Sequence, residues 1–279
     1  MGGQSMQGEM MRRARGFTLI EIAVVLVIAA LMIALFAALG SGLLAQQKRQ
    51  TTNSRLAGID AALVQYVQQQ RKLPCPADGT ANTGADAGCA GNQANGVVPW
   101  AALGLSESDI VDGWGRRITY RVEPFFTGSA KMDMSKCDPA GQEVGAVATC
   151  NAACTSSALT SCTPPSNYLS TRGLPLQNVA GAPLTGTGPP NTMAAYVLIS
   201  HGETGGGGYL STGVLFASTT TDGTQEQKNY ANLAYTPGVT YYVDDQTSDV
   251  AGATHFDDIV MRPTILSVIT RAGLGPRSH

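Results

Sequence analysis

The sequence has little charge and few aromatic side chains. Charged residues make up 14% of the 279 positions, aromatic residues make up 6%, and the net charge is −2. Beyond its amino-terminal residues the chain has no long run of basic residues, which argues against electrostatic binding to nucleic acid. Hydrophobic residues make up 43% of the chain, which is ample for a folded core.

Residue groupings typical of catalysis are also missing. The only histidines are His201, His255 and His279. Neither His201 nor His255 lies in a sequence context that indicates a catalytic triad. The glycine run in HGETGGGGY lacks the Lys-Ser/Thr ending of a phosphate-binding loop, so it is interpreted as a turn. The sequence therefore predicts a protein that is not an enzyme and needs no organic cofactor.

Cysteine is absent from the first part of the chain. All six cysteines follow the apolar amino-terminal segment: Cys75, Cys89, Cys137, Cys150, Cys154 and Cys162. Their even number and one-sided placement predict disulfides in an oxidising compartment, and a bridge that closes the short Cys75–Cys89 loop is the favoured pair. The alternative is a zinc site formed by the last four cysteines, because four thiolates are enough for tetrahedral coordination. Their irregular spacing favours disulfides instead.

The amino-terminal segment contains the longest apolar run. Residues 17–39 are interrupted by one charge, Glu21, and are preceded by Arg12, Arg13 and Arg15. Roughly 20 apolar residues suffice to cross a bilayer, and basic residues favour the cytoplasmic side. We therefore expect a membrane-spanning helix with an exported remainder.

Cleavage is expected before this apolar run and not after it. An ordinary secretory signal ends in a small-residue site beyond its apolar stretch, and the residues after Leu39 offer a poor one. The basic cluster instead abuts Gly16 and Phe17. A carboxylate such as Glu21 within a bilayer costs about 2 to 4 kcal/mol, so it requires a partner or a role.

The segment RGFTLIEIAVVLVIAAL resembles the leader and methylation motif of type IV pilins and type II secretion pseudopilins. The resemblance implies cleavage between Gly16 and Phe17 by a prepilin peptidase and N-methylation of the Phe17 amine. It also implies that Glu21 pairs with the terminal amine of a neighbouring subunit during assembly. Ala30 and Ala38 stand where the family often has Gly and Pro, which predicts a straighter upper helix.

This resemblance also implies a function and a location. The chain would be a structural subunit of a pilus or pseudopilus, with a large head that suggests a minor or tip position. Its partners would be sister subunits, the peptidase and an assembly platform in the bacterial inner membrane. The head would lie in the periplasm, or at the cell surface after assembly. The alternative function is a binding module on a pilin stem, which recognises a surface, a secreted substrate or DNA.

The helical pattern continues beyond the apolar run. Leu56, Ile59, Leu63 and either Tyr66 or Val67 follow helical spacing and form one apolar stripe. Proline residues in KLPCPADG then predict the helix end. Next, the turn DGWG at 112–115 leads into an alternating strand at 118–122, an order that resembles the head of the major pseudopilins. Trp114 is expected to pack in the core or against the turn.

The remaining apolar stretches complete the predicted fold. Strand-like patterns occur at 193–209, 211–219, 238–245 and 254–263. The expected fold class is α+β and pilin-like, with a long amino-terminal helix packed on an antiparallel sheet. The predicted divisions are a leader (1–16), a transmembrane stem (17–39), the amphipathic part of the same helix (40–72) and a head (73–279) with a Cys-rich insertion at about 124–192.

A metal site is the last expectation. Major pseudopilins carry a calcium-binding loop near the carboxyl end, and HFDDIV resembles its acidic end, which makes Asp257 and Asp258 calcium candidates. The alternative is a solvated acidic loop without metal.

Overall fold

The computed structural model describes residues 18–86, 88–89, 96–135, 137, 165–188, 190–217, 223–231, 233, 236, 239–248, 250 and 252–277. Within its helices, the side chains of residues 35–41 and 167 lie outside this description. The chain divides into two compact units, residues 1–46 and 47–279.

The first helix, α1, spans Leu19–Gln70. In the second unit its apolar stripe is buried: Leu56, Ile59, Leu63 and Val67 are each at most 1% exposed. Val67 and not Tyr66 completes the stripe, because Tyr66 is only half-buried. The helix ends where Arg71 takes a left-handed conformation with φ of 54°, just before the two prolines.

The regular elements after α1 are short. The helices are α2 (Pro165–Tyr168) and α3 (Ile265–Arg271), with 3₁₀ turns at Glu107–Ile110, Pro124–Thr127 and Glu226–Asn229. The strands are β1 (Ala77–Asp78), β2 (Gly96–Val97), β3 (Arg116–Arg117), β4 (Thr119–Val122), β5 (Leu176–Gln177), β6 (Tyr196–Ser200), β7 (Tyr209–Leu210), β8 (Tyr242–Val243) and β9 (Ile259–Met261).

Five strands form one antiparallel sheet in the order β1-β2-β4-β6-β9. The predicted combination of an amino-terminal helix with an antiparallel sheet is therefore confirmed. The strand predicted at 238–245 is β8, but it pairs in parallel with β5 in a separate two-stranded sheet. The strand predicted at 211–219 is wrong for the described residues 211–217, which contribute only an isolated bridge from Leu215 to Tyr209.

Strand β6, which lies between β4 and β9, is buried on both faces. Successive strand side chains point to opposite faces. Tyr196 and Leu198 join the core cluster that contains the α1 stripe, whereas Val197 and Ile199 join a second cluster with Tyr242 of β8. This two-sided burial explains why YVLIS is a continuous apolar run.

The neighbouring strand β4 is also buried on both faces, but one of them is polar. Tyr120 and Val122 join the α1 cluster, as their alternation predicts. Thr119 and Arg121, on the other face, are at most 2% exposed, as is Arg117 just before the strand. An alternating strand usually exposes its polar face to solvent. Here loops cover it.

Three arginines of this region bind those loops through backbone carbonyls. Arg116 donates to Gly202 and Glu203, and Arg121 donates to Tyr230, Ala231 and Leu233. Arg117 donates to the carbonyls of Gly79, Ala81 and Ser211 and to the side chains of Asn82 and Glu107. Each guanidinium thus satisfies several carbonyls of segments that have little regular structure of their own.

The two tryptophans have different roles. Trp100 is 6% exposed and belongs to the main core cluster. The guanidinium carbon of Arg117 lies 4.9 Å from its ring centroid, within cation–π range. Trp114 is only half-buried and is not part of the core cluster, so of its two predicted positions only packing against the turn stays a prediction.

The Arg117→Lys substitution is expected to lower the free energy of unfolding by about 3 kcal/mol or more. Lysine keeps the charge but has no planar fork of donors, so several buried acceptors lose partners at about 1 to 3 kcal/mol each. Denaturant unfolding followed by tryptophan fluorescence measures this loss. Arg262→Lys is the control, because the Arg262 side chain is 33% exposed and its main partner is Asp244. Its expected cost is below about 1 kcal/mol. Equal losses in the two variants would contradict the role given to Arg117.

Candidate functional site

The first turn of α1 is held by a reciprocal contact between Thr18 and Glu21. The Thr18 amide donates to Glu21 Oε2 at 3.3 Å, and the Glu21 amide donates to Thr18 Oγ1 at 3.4 Å. The Thr18 hydroxyl also lies 3.4 Å from the same Oε2 atom. A threonine before a helix and a glutamate three residues later form a capping box. The Glu21 amide also donates to the Thr18 carbonyl oxygen at 3.1 Å, so it is shared between the carbonyl and the hydroxyl of Thr18.

This geometry gives Glu21 an intrachain role that the sequence analysis missed. Its carboxylate lies at the amino end of the helix, where the helix dipole favours negative charge. The spacing Thr-x-x-Glu was the available signal. Gly16 and Phe17, the predicted cleavage and methylation residues, lie outside the described residues, so their roles remain predictions.

The apolar residues of the first unit have large exposed fractions. The large hydrophobic side chains from Leu19 to Ile33 are each at least 50% exposed. Within the residues described, no helix contains a segment both long and apolar enough to cross a lipid bilayer.

The predicted turn at 112–115 binds both α1 and the sheet. Asp112 Oδ1 accepts from the amides of Trp114 and Arg116, both at 2.9 Å, and Oδ2 accepts from Ser200 of β6 at 2.6 Å. The Gly113 amide donates to Thr52 of α1 at 2.9 Å. A Cβ at Gly113 would lie 2.3 Å from the Lys48 carbonyl oxygen, so this docking requires glycine.

The two calcium candidates are buried and bind different partners. Asp257 and Asp258 are each 4% exposed, so the alternative of a solvated acidic loop is wrong for them. Asp257 Oδ2 accepts from the amides of Glu203 and Thr204 at 2.8 and 2.7 Å. Asp258 Oδ2 instead accepts from the Asn229 side chain at 2.8 Å. Calcium binding by this pair remains a prediction.

Asp257 lies close to two groups that the sequence analysis did not assign to a site. Glu226 Oε1 accepts from the Asp257 amide at 2.8 Å, and Glu226 Oε2 lies 2.9 Å from His255 Nδ1. Burial raises the pKa of Glu226, and the nearby charge of Asp257 raises it further. Glu226 is separated from the other two by nearly 30 residues, so only the tertiary structure brings them together.

The side chains of Asp258, His201 and Thr119 lie next to one another in space, so that a carboxylate, an imidazole and a hydroxyl form a row. Thr119 Oγ1 lies 2.8 Å from His201 Nε2, and Asp258 Oδ1 lies 3.7 Å from His201 Nδ1. Such an order is typical of a triad. However, Thr119 is fully buried and His201 is 1% exposed, so no substrate reaches this hydroxyl in the structure.

The glycine run 205–208 forms turns, as predicted, and also packs tightly. Gly205 and Gly207 have φ of 70° and 77°. A Cβ at Gly205 would lie 1.9 Å from the Arg116 guanidinium carbon, and one at Gly207 would lie 2.3 Å from the Tyr230 ring. Both positions therefore need glycine for conformation and for space.

Among the described cysteines, Cys75 is disulfide-bonded to Cys89, the pair favoured from the sequence, with a Cα–Cα distance of 5.4 Å. Cys137 is buried. Cys150, Cys154 and Cys162 lie outside the described residues, and so does most of the predicted Cys-rich insertion. Zinc binding or further bridging by these four cysteines therefore stays a prediction.

Thr18→Val is expected to loosen the first turn of α1, because valine cannot accept a hydrogen bond from the Glu21 amide. The loss of an N-cap costs about 1 kcal/mol. Hydrogen exchange of the Thr18 to Glu21 amides in detergent-solubilised protein should be faster in this variant. Thr18→Ser keeps the hydroxyl and should exchange like the wild type. Unchanged exchange in Thr18→Val would show that the capping contact is absent in solution.

Comparison with known proteins gives one match, at the amino terminus. Residues 11–37 match the family model described as the prokaryotic N-terminal methylation motif. No curated protein and no solved structure matches the chain. The matched residues include Gly16, Phe17 and Glu21, as well as Thr18 of the capping box. The amino-terminal segment is thus a prepilin-type methylation motif, and it supports the identification of the chain as a type IV pilin-like or pseudopilin-like protein.

Proposed function

We propose that this chain is a structural subunit of a type IV pilus or a type II secretion pseudopilus. The observation that carries the proposal is the prokaryotic N-terminal methylation motif at residues 11–37. Prepilin peptidase would cleave between Gly16 and Phe17, and the new amine of Phe17 would be N-methylated. The mature chain would then begin one residue before the capping box.

Glu21 would guide assembly through its charge. Two opposite charges that pair in an apolar environment lower each other's burial cost. Removal of one leaves the other buried without a partner. In the isolated chain the Glu21 carboxylate is exposed and contacts only the first turn among the described residues. It would therefore be accessible to the terminal amine of a neighbouring subunit.

The exposed apolar residues of the first unit support the same proposal. Large hydrophobic side chains from Leu19 to Ile33 are each at least half exposed among the described residues. Extensive apolar exposure of this kind indicates a membrane or protein contact. Residues 17–39 would anchor the precursor in the bacterial inner membrane and would pack against sister helices after assembly.

The head supports a minor or tip position. A filament subunit that occurs in few copies has room for long connections beyond its sheet. Long segments between β4 and β6 and between β7 and β9 contribute only short elements to the described fold. The head would face the periplasm before assembly.

Substituting Glu21 by Ala should block assembly but preserve cleavage, because it removes the charge but leaves Gly16 and Phe17 intact. The measurement compares sheared filaments with membrane-bound protein in cells that assemble the wild-type chain. Glu21→Asp, which keeps the charge on a shorter side chain, should retain part of the assembly. Incorporation of Glu21→Ala at the wild-type level would refute the assembly role.

The Gly16→Leu substitution should block cleavage, because a bulky residue would stand immediately before the scissile bond. The precursor would keep its 16-residue leader and migrate more slowly than the mature form on a gel. Mass spectrometry of the mature wild-type protein should find a methylated Phe17 as its first residue. Normal processing of Gly16→Leu would contradict the proposed cleavage site.

A further inference from the structure

Three buried side chains in the second unit converge on one point. Glu226 begins a 3₁₀ turn, and His255 and Asp257 precede β9. One potential ligand atom from each lies within 4.8 Å of the others. Their residues are 2%, 7% and 4% exposed, respectively. A point shared by one imidazole and two carboxylates, all withdrawn from water, is uncommon in a structural core.

The spacing of these atoms suits a single metal ion. Zinc binds imidazole nitrogen and carboxylate oxygen at about 2.0 to 2.2 Å, so ligands of one tetrahedral zinc lie roughly 3 to 3.5 Å apart. His255 Nδ1 and Glu226 Oε2 are already 2.9 Å apart and are joined by a hydrogen bond. Small side-chain rotations would replace this hydrogen bond by two metal bonds.

The electrostatics of the cluster favours a cation. Within the described part of the chain, no lysine or arginine forms an ion pair with Glu226 or Asp257. Burial raises the pKa of the Glu226 carboxyl, and the adjacent charge of Asp257 raises it further. A divalent ion placed among the three side chains would compensate both carboxylates.

The surrounding backbone holds the carboxylates in place. The Glu203 and Thr204 amides fix Asp257, and the Gly223 amide donates to Glu226 Oε2 at 3.1 Å. Close approach of the chain makes this possible: a Cβ at Gly223 would lie 2.2 Å from the His255 carbonyl oxygen. Hydrogen bonds of this kind orient ligands and lower the cost of binding.

We propose that Glu226, His255 and Asp257 bind one Zn²⁺ ion, with water as the fourth ligand. The imidazole distinguishes this site from one for Ca²⁺, which prefers oxygen ligands only. The ion would join the Glu226 turn to the segment before β9. This inference does not depend on filament assembly.

The test is zinc titration of the full-length chain in detergent after treatment with EDTA. Bound zinc is counted by mass spectrometry after desalting, and affinity is measured by calorimetry. We expect one Zn²⁺ per chain at this site and an affinity that falls as the pH is lowered, because protons compete for His255 and Glu226. His255→Gln and Glu226→Gln should each weaken binding at least about tenfold.

Two controls separate this site from other zinc ligands. Asp245→Asn removes a carboxylate near the carboxyl end but outside the cluster, and it should bind zinc like the wild type. Cys137→Ser should also bind normally, whereas its failure to bind would assign the zinc to cysteines and overturn the proposal.

Folding of each variant is checked by near-ultraviolet circular dichroism. His255→Gln is the decisive variant, because glutamine can still donate a hydrogen bond to Glu226 and so preserve the fold. Wild-type zinc affinity in folded His255→Gln would overturn the proposal. Binding of Ca²⁺ but not Zn²⁺ by the wild-type chain would do the same.

Discussion

The head depends on arginine side chains that are buried behind its main sheet. Arg116, Arg117 and Arg121 come from one short stretch around β3 and β4 and bind the carbonyls of four separate loop segments. A buried carbonyl without a partner is costly, and these segments lack the strands that would normally supply one. One guanidinium has five donors in a fixed fork, so it can satisfy several carbonyls at once. The arginines thereby replace a second layer of regular structure.

Glycine residues allow the loops to pack directly against the buried arginines and carboxylates. The turns that approach the arginines and buried carboxylates have no room for a side chain, as at Gly205 against Arg116 and Gly202 against Asp257. Burial of so many charged groups is tolerated because the guanidiniums donate hydrogen bonds and the carboxylates accept them in the described structure. Glu226, His255 and Asp257 are buried together in the same way. Two carboxylates outnumber the single imidazole in this cluster, and a bound cation would compensate their negative charge.

The carboxylates described in the two units differ in burial and in the number of hydrogen bonds that they accept. In the head, Asp112 and Asp257 are buried, and each accepts hydrogen bonds from two backbone amides and one hydroxyl group. In the first unit, Glu21 is exposed and contacts only Thr18, its own helix cap, among the described residues. A carboxylate that is held in position but open on one side is suited to meet a partner from another chain. In the proposed filament, this carboxylate would provide a contact between subunits.

Features that depend on local pattern are predictable from the sequence. These are the methylation motif, the helix and its buried stripe, the turn at 112–115, the β4 and β6 strands and the Cys75–Cys89 pair. The methylation motif follows from the resemblance of its residues to a known family. The other features follow from periodicity, turn chemistry or short spacing, which neighbouring residues carry on their own. Three other features emerge only from the folded chain: the polar face of β4 is buried, β8 pairs in parallel with β5, and Glu226 lies close to His255 and Asp257. These outcomes depend on contacts between distant segments, and loop sequences contain no periodic signal of which segments will meet.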